Sequence, residues 1–188
     1  MNKETAIKGF ILLSENANDH FDTAKSLAKK GKYGLAVSHL VLSAEESIKA
    51  MYFAMQFFDT DIDNITLKEL FSAHKAKHRK IQIGNKIIKE IITEFLDEVS
   101  KGDKDIKEDF KEIKTSIKAS NYKIFNEANN IKNKGFYVDY INNNFFSPNQ
   151  IKEEEYKTFY QLTWELIIAN SIISIKLKNT AANSGLAG

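Results

Sequence analysis

Cysteine is absent from this sequence, and proline occurs only once among its 188 residues. Without cysteine, disulfide bonds and thiolate chemistry are excluded, and a cytoplasmic location is permitted. One proline and eight glycines are too few for the frequent turns of a many-stranded sandwich or barrel. The longest apolar run, Leu166 to Ile175, is about half the ~20 residues of a membrane span. We therefore predict a buried helix there and no membrane partner.

The composition that remains is that of a globular protein, with 43% hydrophobic and 28% charged residues. A chain of this length can bury a core as one domain. We expect a single domain over residues 1–178, followed by a flexible tail over residues 179–188. The N-terminus lacks the apolar stretch of a signal peptide, so we expect a cytoplasmic protein. The net charge of +2 does not by itself indicate a nucleic-acid partner.

Hydrophobic periodicity predicts about five helices and no strand, so the expected fold class is an all-α bundle. The first two helices are expected over residues 3–30 and 33–58, separated by Gly31 at the position of a helix-ending glycine. In the second helix Leu42 and Phe53 lie on a different side from the main apolar stripe. A helix that is apolar on two sides is typical of a bundle's centre or of a surface covered by a partner. This pattern favours a homodimer.

Three further helices are predicted in the rest of the chain. The capping box Thr66-Leu67-Lys68-Glu69 begins the third, and the fourth carries a narrow apolar seam that ends at Ile131. An irregular segment is expected from Gly135 to Ser147. Ser147-Pro148 is then expected to supply the N-cap and the first position of the last helix.

Three charged residues interrupt the otherwise apolar second helix. Glu45 and Glu46 lie four and three residues before Lys49, so either glutamate can pair with this lysine on the helix surface. One interpretation is a structural ion pair at the edge of the core. The alternative is that Lys49, held by a carboxylate, presents its ammonium group to a phosphate.

His74 and His78 are four residues apart on the predicted third helix, a spacing at which two imidazoles can share a metal ion. No glutamate follows His74 and no cysteine exists to complete a soft site, so we predict no metal and no cofactor. Both histidines share a predicted apolar face, which favours a half-buried polar pair. The sharper hypothesis is that His74 acts as a general acid or base, because histidine titrates near neutral pH.

A second group of polar residues follows the predicted fourth helix. Lys132, Lys134, Tyr137 and Asp139 place cations, a phenol and a carboxylate within one short turn, where they can form a polar site. The alternative is a connection that is simply packed by its neighbouring aromatic residues.

These motifs, in this order and in an all-helical chain of this length, resemble the AbiV family of bacterial abortive-infection proteins, whose helical domain belongs to the HEPN group. The resemblance spans roughly Ala6 to Ile175. It rests on the Gly31-Lys32-Tyr33 turn with Glu45-Glu46-x-x-Lys49, on His74-x-x-Lys77, and on Lys132-x-x-Gly135-Phe136-Tyr137-Val138-Asp139. It implies a HEPN-like bundle and an antiphage protein that stops the infected cell from producing phage.

Many HEPN proteins are dimers, and many are metal-independent ribonucleases with an Arg-x(4–6)-His motif. This sequence departs from that motif, because its only arginine, Arg79, has no histidine four to six residues beyond it. The nearest analogue is Lys132-x4-Tyr137, and tyrosine, with a pKa of about 10, is a poor base at neutral pH. Ribonuclease activity therefore requires His74 to reach the same cleft.

The resulting hypothesis is an antiphage protein that acts on RNA or translation, as a homodimer that responds to a phage-encoded trigger. The alternative is a non-catalytic helical module that binds a phage or host protein. The residues expected to carry the first function are the catalytic set His74, Lys132, Tyr137 and Asp139, the RNA-contacting set Lys49, Lys77 and Lys134, and the supporting pair Glu45 and Glu46.

Overall fold

The structure is a computed structural model, and it describes residues 1–59, 93, 97, 111–112, 115–116 and 127–183. Apart from Thr93 and Asp97, which are helical, the predicted third helix lies outside the described residues. His74, Lys77 and His78 lie outside the described residues.

The described part of the chain is mostly helical, which confirms the predicted all-α class. Four α-helices fall within it, one fewer than the number expected for the whole sequence. The elements are α1 (Lys3–Ala28), α2 (Tyr33–Phe57), α3 (Ala128–Phe136), strands β1 (Asp139–Ile141) and β2 (Asn144–Phe146), a 3-10 helix (Pro148–Gln150) and α4 (Glu153–Asn183).

Helices α1 and α2 form an antiparallel pair whose limits follow from local sequence signals. The Asn2 side chain accepts a hydrogen bond from the Thr5 backbone N–H at 2.7 Å and so caps the start of α1. At the other end Gly31 has a φ of +69°, a conformation that glycine adopts without steric cost. The break predicted at Gly31 is confirmed.

Helix α2 lies at the centre of the bundle, as its two-sided apolar pattern predicts. It contacts α1, α3, α4 and the 3-10 helix. Phe53, on the second apolar side, is only 8% exposed and packs on Gly9 of α1, where a Cβ would collide with its ring. The chain itself therefore covers Phe53, and this residue does not require a partner molecule.

Helix α4 contains the longest apolar run of the sequence, and most of this run is buried as predicted, although Ile175 at its end is 56% exposed. Leu166 and Ile173 are fully buried against α2 and α1 residues in one of the two core clusters. Polar side chains tie α4 to α2 inside the core: Thr163 Oγ1 donates to the Leu40 carbonyl at 3.3 Å, and Asn170 Nδ2 donates to the Ser47 carbonyl at 3.2 Å. None of the described helices is both long enough and apolar enough to cross a membrane.

The sequence-based prediction is wrong between residues 139 and 153. Strands β1 and β2 form an antiparallel hairpin in the segment expected to be irregular. Its turn is closed by Asn142 and Asn143, with φ of 51° and 61°, because asparagine tolerates the left-handed conformation that a two-residue hairpin turn needs. Pro148 begins the 3-10 helix rather than the last α-helix, which starts at Glu153 and continues past Lys178 to Asn183.

Candidate functional site

Helix α3 lies very close to α2, and Gly135 makes this approach possible. A Cβ at Gly135 would collide with Ser38 Oγ and with the carbonyl oxygen of Gly34. The Ser38 hydroxyl, fully buried, lies 2.8 Å from the Lys132 carbonyl oxygen and 3.2 Å from that of Gly34, and it can donate to either. The backbone of α3 at Lys132 is thereby fixed to α2.

The side chain of Lys132 completes the contact with an ion pair. Its Nζ lies 3.1 and 3.2 Å from the two carboxylate oxygens of Glu45 on α2. The lysine side chain is 18% exposed and the glutamate side chain 40%, so water screens the pair only in part. Two residues of the predicted site, 87 positions apart in the sequence, are therefore brought together.

The neighbouring glutamate forms a second ion pair along α2. Lys49 Nζ lies 2.6 Å from Glu46 Oε1, and both side chains are mostly buried. This is one of the two pairings that the sequence allowed, and it agrees with the interpretation of a structural ion pair. Because Glu45 pairs with Lys132 and Glu46 with Lys49, the two ammonium groups are balanced by two carboxylates. A phosphate must therefore bind to ammonium hydrogens that do not contact a carboxylate oxygen.

The remaining predicted residues of this group lie beyond the ion pairs, at the end of α3 and on the hairpin. Lys134 is exposed on the last turn of α3. Tyr137 caps the helix through its backbone N–H, which donates to the Asn133 carbonyl at 2.9 Å, while its ring is exposed. Asp139 is half-buried at the start of β1. No hydrogen bond among the described residues joins Tyr137 or Asp139 to the Glu45–Lys132 pair.

The structure also pairs two histidines that sequence reasoning missed. His20 Nδ1 of α1 and His39 Nδ1 of α2 lie 3.1 Å apart, and the ring of Phe136 from α3 meets His39 edge-on at 5.6 Å between ring centres. Burial, followed by the charge of His20, lowers the pKa of His39. A usable signal did exist, because both residues lie about two to three turns from Gly31 on helices predicted to be neighbours.

Neither the ion pairs nor the histidine pair belongs to a cluster of metal ligands among the described residues. Among residues 1–59, 127–183 and the few described between them, no three His, Asp or Glu side chains are grouped so as to hold a metal ion. The chemistry that the described side chains offer is therefore that of ammonium groups, carboxylates and an imidazole pair.

These observations define the class of the protein: a mostly helical bundle that carries the ion pairs Glu45–Lys132 and Glu46–Lys49 on α2 and α3. Within that class the chain belongs to the AbiV family: the family model HEPN_AbiV, described as AbiV, matches residues 5–168. The resemblance seen in the motifs is thus confirmed, and membership indicates a role in abortive infection. No curated protein and no solved structure matches the chain.

Proposed function

We propose that this AbiV-family protein acts in antiphage defence by engaging RNA where α2 meets α3. The observation that carries the proposal is the Glu45–Lys132 pair, held in place by the Ser38 hydroxyl at the Lys132 backbone. An ammonium group has three hydrogens. Its two contacts with Glu45 leave at least one of them for a phosphate oxygen. Because the lysine is already held in one geometry, binding a phosphate costs little additional side-chain entropy.

Exposed residues next to this lysine extend the surface along α3. Lys134 adds a second cation to α3, on a different side of the helix from Lys132. The exposed ring of Tyr137 offers a flat face on which an unpaired base can stack. These are the two kinds of contact, ionic and stacking, that proteins make with single-stranded RNA. Lys49 lies one turn beyond Glu45, where its ammonium group is paired with Glu46.

The catalytic form of the proposal is cleavage by attack of a ribose 2′-OH on the adjacent phosphorus. His74 takes the 2′-OH proton, the P–O5′ bond breaks, and Tyr137 returns a proton to the leaving oxygen, which gives a 2′,3′-cyclic phosphate and a 5′-OH end. Asp139 orients His74, while Lys77 and Lys132 offset the charge that develops on phosphorus. His74 and Lys77 lie outside the described residues, so their part rests on the sequence motif alone.

Binding and cleavage are tested on the same purified full-length protein. Total RNA incubated without metal, followed by mapping of the cut ends, measures cleavage, and a salt titration of RNA affinity measures the lysine contacts. Lys132→Ala should weaken binding and reduce the salt slope by about 0.7, the contribution of one contact with a single strand. Glu45→Gln should strengthen binding, because it leaves the Lys132 ammonium unneutralised.

A matched control is Lys157→Ala, which removes a lysine from an exposed pair with Glu153 on α4, 2.9 Å apart. It should leave the salt slope unchanged. If Lys132→Ala binds RNA as tightly as the unmodified protein, the α2–α3 surface is not the RNA site.

A second candidate function is a non-catalytic module that binds a phage or host protein, and the hairpin favours it. Tyr140 and Phe145 pair across its two strands, with ring centres 4.8 Å apart, yet they remain 61% and 69% exposed. Contiguous exposed apolar side chains commonly mark binding surfaces. Loss of phage protection in Phe145→Ser, with RNA binding unchanged, would favour this second function over the first.

The homodimer and the phage-encoded trigger are also proposals. The second apolar side of α2, formed by Leu42 and Phe53, was the reason to expect a homodimer. Phe53 is covered by α1, so the half-buried Leu42 is the residue of this side that still supports a dimer. Light scattering at tens of micromolar protein measures the assembly directly.

A further inference from the structure

The pair formed by His20 of α1 and His39 of α2 lies outside the ion pairs described above and has its own chemistry. The two Nδ1 atoms are 3.1 Å apart, and the ring centres are 5.3 Å apart. A hydrogen bond between two ring nitrogens needs a proton on one of them and a lone pair on the other. The contact therefore holds one proton between the two Nδ1 atoms, and it cannot form when both atoms carry a proton.

The pair lies directly beneath the part of α3 that carries Lys132. Phe136 packs edge-on against His39, and Ser38, the residue before His39, hydrogen-bonds to the Lys132 carbonyl. On the α1 side His39 faces His20, and on the α3 side it faces the uncharged ring of Phe136. The charge that acts on His39 from the described part of the chain is that of His20.

We infer that His20 and His39 form a proton-operated latch: with one shared proton they join α1 to α2 beneath α3, and protonation of both rings separates them and loosens α3 together with Lys132. Two positive rings at this distance repel each other. The latch is therefore closed at neutral pH and opens on acidification. Its use as a control on RNA binding rests on the proposed function, whereas the latch itself does not.

The direction of the pH effect follows from the lowered pKa of His39. In the unfolded chain a histidine titrates near 6.5. Between that pH and the lower pKa of His39 in the folded protein, the unfolded chain binds more protons, so the free energy of unfolding falls as the pH falls. The stabilisation is complete above about pH 6.5 and is lost progressively below it.

The pairing is tested by NMR titration of the histidine rings of the full-length protein between pH 8 and pH 5. His20→Gln should raise the pH at which His39 titrates, because it removes the charge that disfavours protonation of His39. Lys157→Ala, which removes a charge from the exposed pair with Glu153 on α4, should leave the titration of His39 unchanged. A titration of His39 that is the same with and without His20 would overturn the inference.

The effect on α3 is tested by hydrogen exchange of the Tyr137 backbone N–H, which bonds to the Asn133 carbonyl. As the pH falls through the titration of His39, its protection factor should decrease by up to about tenfold per pH unit. His39→Gln should abolish this pH dependence. If His20 affects the titration of His39 but the protection factor of the Tyr137 N–H stays constant with pH, the two histidines form a pair that does not act as a latch. If the titration of His39 depends on His20 and the protection of Tyr137 depends on pH, but the protein does not bind RNA, the proposed function is refuted and the latch is not.

Discussion

Replacing Gly135 by alanine tests the close approach of α3 to α2, because two physical effects predict opposite results. Helix propensity alone favours alanine over glycine by about 1 kcal/mol within a helix. The structure predicts the reverse, since the new Cβ would collide with Ser38 Oγ and with the Gly34 carbonyl oxygen. One of these atoms belongs to the backbone of the central helix and cannot rotate away, so α3 itself must move.

Overpacking of this kind typically costs about 1–3 kcal/mol, and it also removes the 2.8 Å hydrogen bond from Ser38 to Lys132, worth about 1 kcal/mol. Against a propensity gain of at most about 1 kcal/mol, we expect Gly135→Ala to lower the free energy of unfolding by about 1–3 kcal/mol. Urea denaturation measures this value, and an unchanged m-value would confirm that the unfolded states are comparable.

Gly9→Ala is the matched comparison, because its Cβ would meet the Phe53 ring rather than the backbone. A ring can shift within the core, so Gly9→Ala should cost less than Gly135→Ala. In the double variant Ser38→Ala/Gly135→Ala one of the two clashes is gone, and the two substitutions should couple favourably by at least about 0.5 kcal/mol. If Gly135→Ala is as stable as the unmodified protein, or more so, the close α2–α3 contact does not exist.

Three further outcomes are expected. Asn2→Ala should lower the free energy of unfolding by about 0.5–2 kcal/mol through loss of the α1 cap, and the loss should be absent in Asn2→Ser, which can still accept from Thr5. Phe145→Ser should leave thermal unfolding nearly unchanged, since the side chain is 69% exposed, but it should reduce phage protection if the hairpin binds a protein. Leu42→Lys should convert a dimer to a monomer in light scattering, and an already monomeric protein would refute the homodimer.

The parts of the structure that sequence could predict are those with local causes. Gly31 ends the first helix because of its own backbone freedom, and Glu46 finds Lys49 because helical neighbours three residues apart face each other. The central position of α2 followed from its apolar residues on two sides. Each of these signals is contained in one short window of sequence.

The features that were missed depend on long-range packing or on elements too short to show a period. Glu45 and Lys132 are 87 residues apart, so only the folded bundle shows that they pair. The strands of the hairpin are three residues each, too short for alternation to distinguish them from a loop. Asn142 and Asn143 were nevertheless a usable signal, because two adjacent asparagines can close a tight hairpin turn.

The spacing of four residues at the α2–α3 contact has a physical explanation. Ser38 and Glu45 are seven residues apart on α2, which places them two turns apart on one stripe of the helix. On α3 Lys132 and Gly135 are three residues apart and share a face in the same way. Ser38 meets Gly135, and Glu45 meets Lys132.

The glycine of Lys132-x-x-Gly135 therefore has a different task from the lysine. It lets α3 approach α2 closely enough for the lysine to reach the carboxylate, and the buried Ser38 hydroxyl fixes the separation. A larger residue at position 135 would keep the charges of the motif and lose their geometry. For this reason the paired charges and the small residues beneath them form one site, and substitutions of either kind should affect the same function.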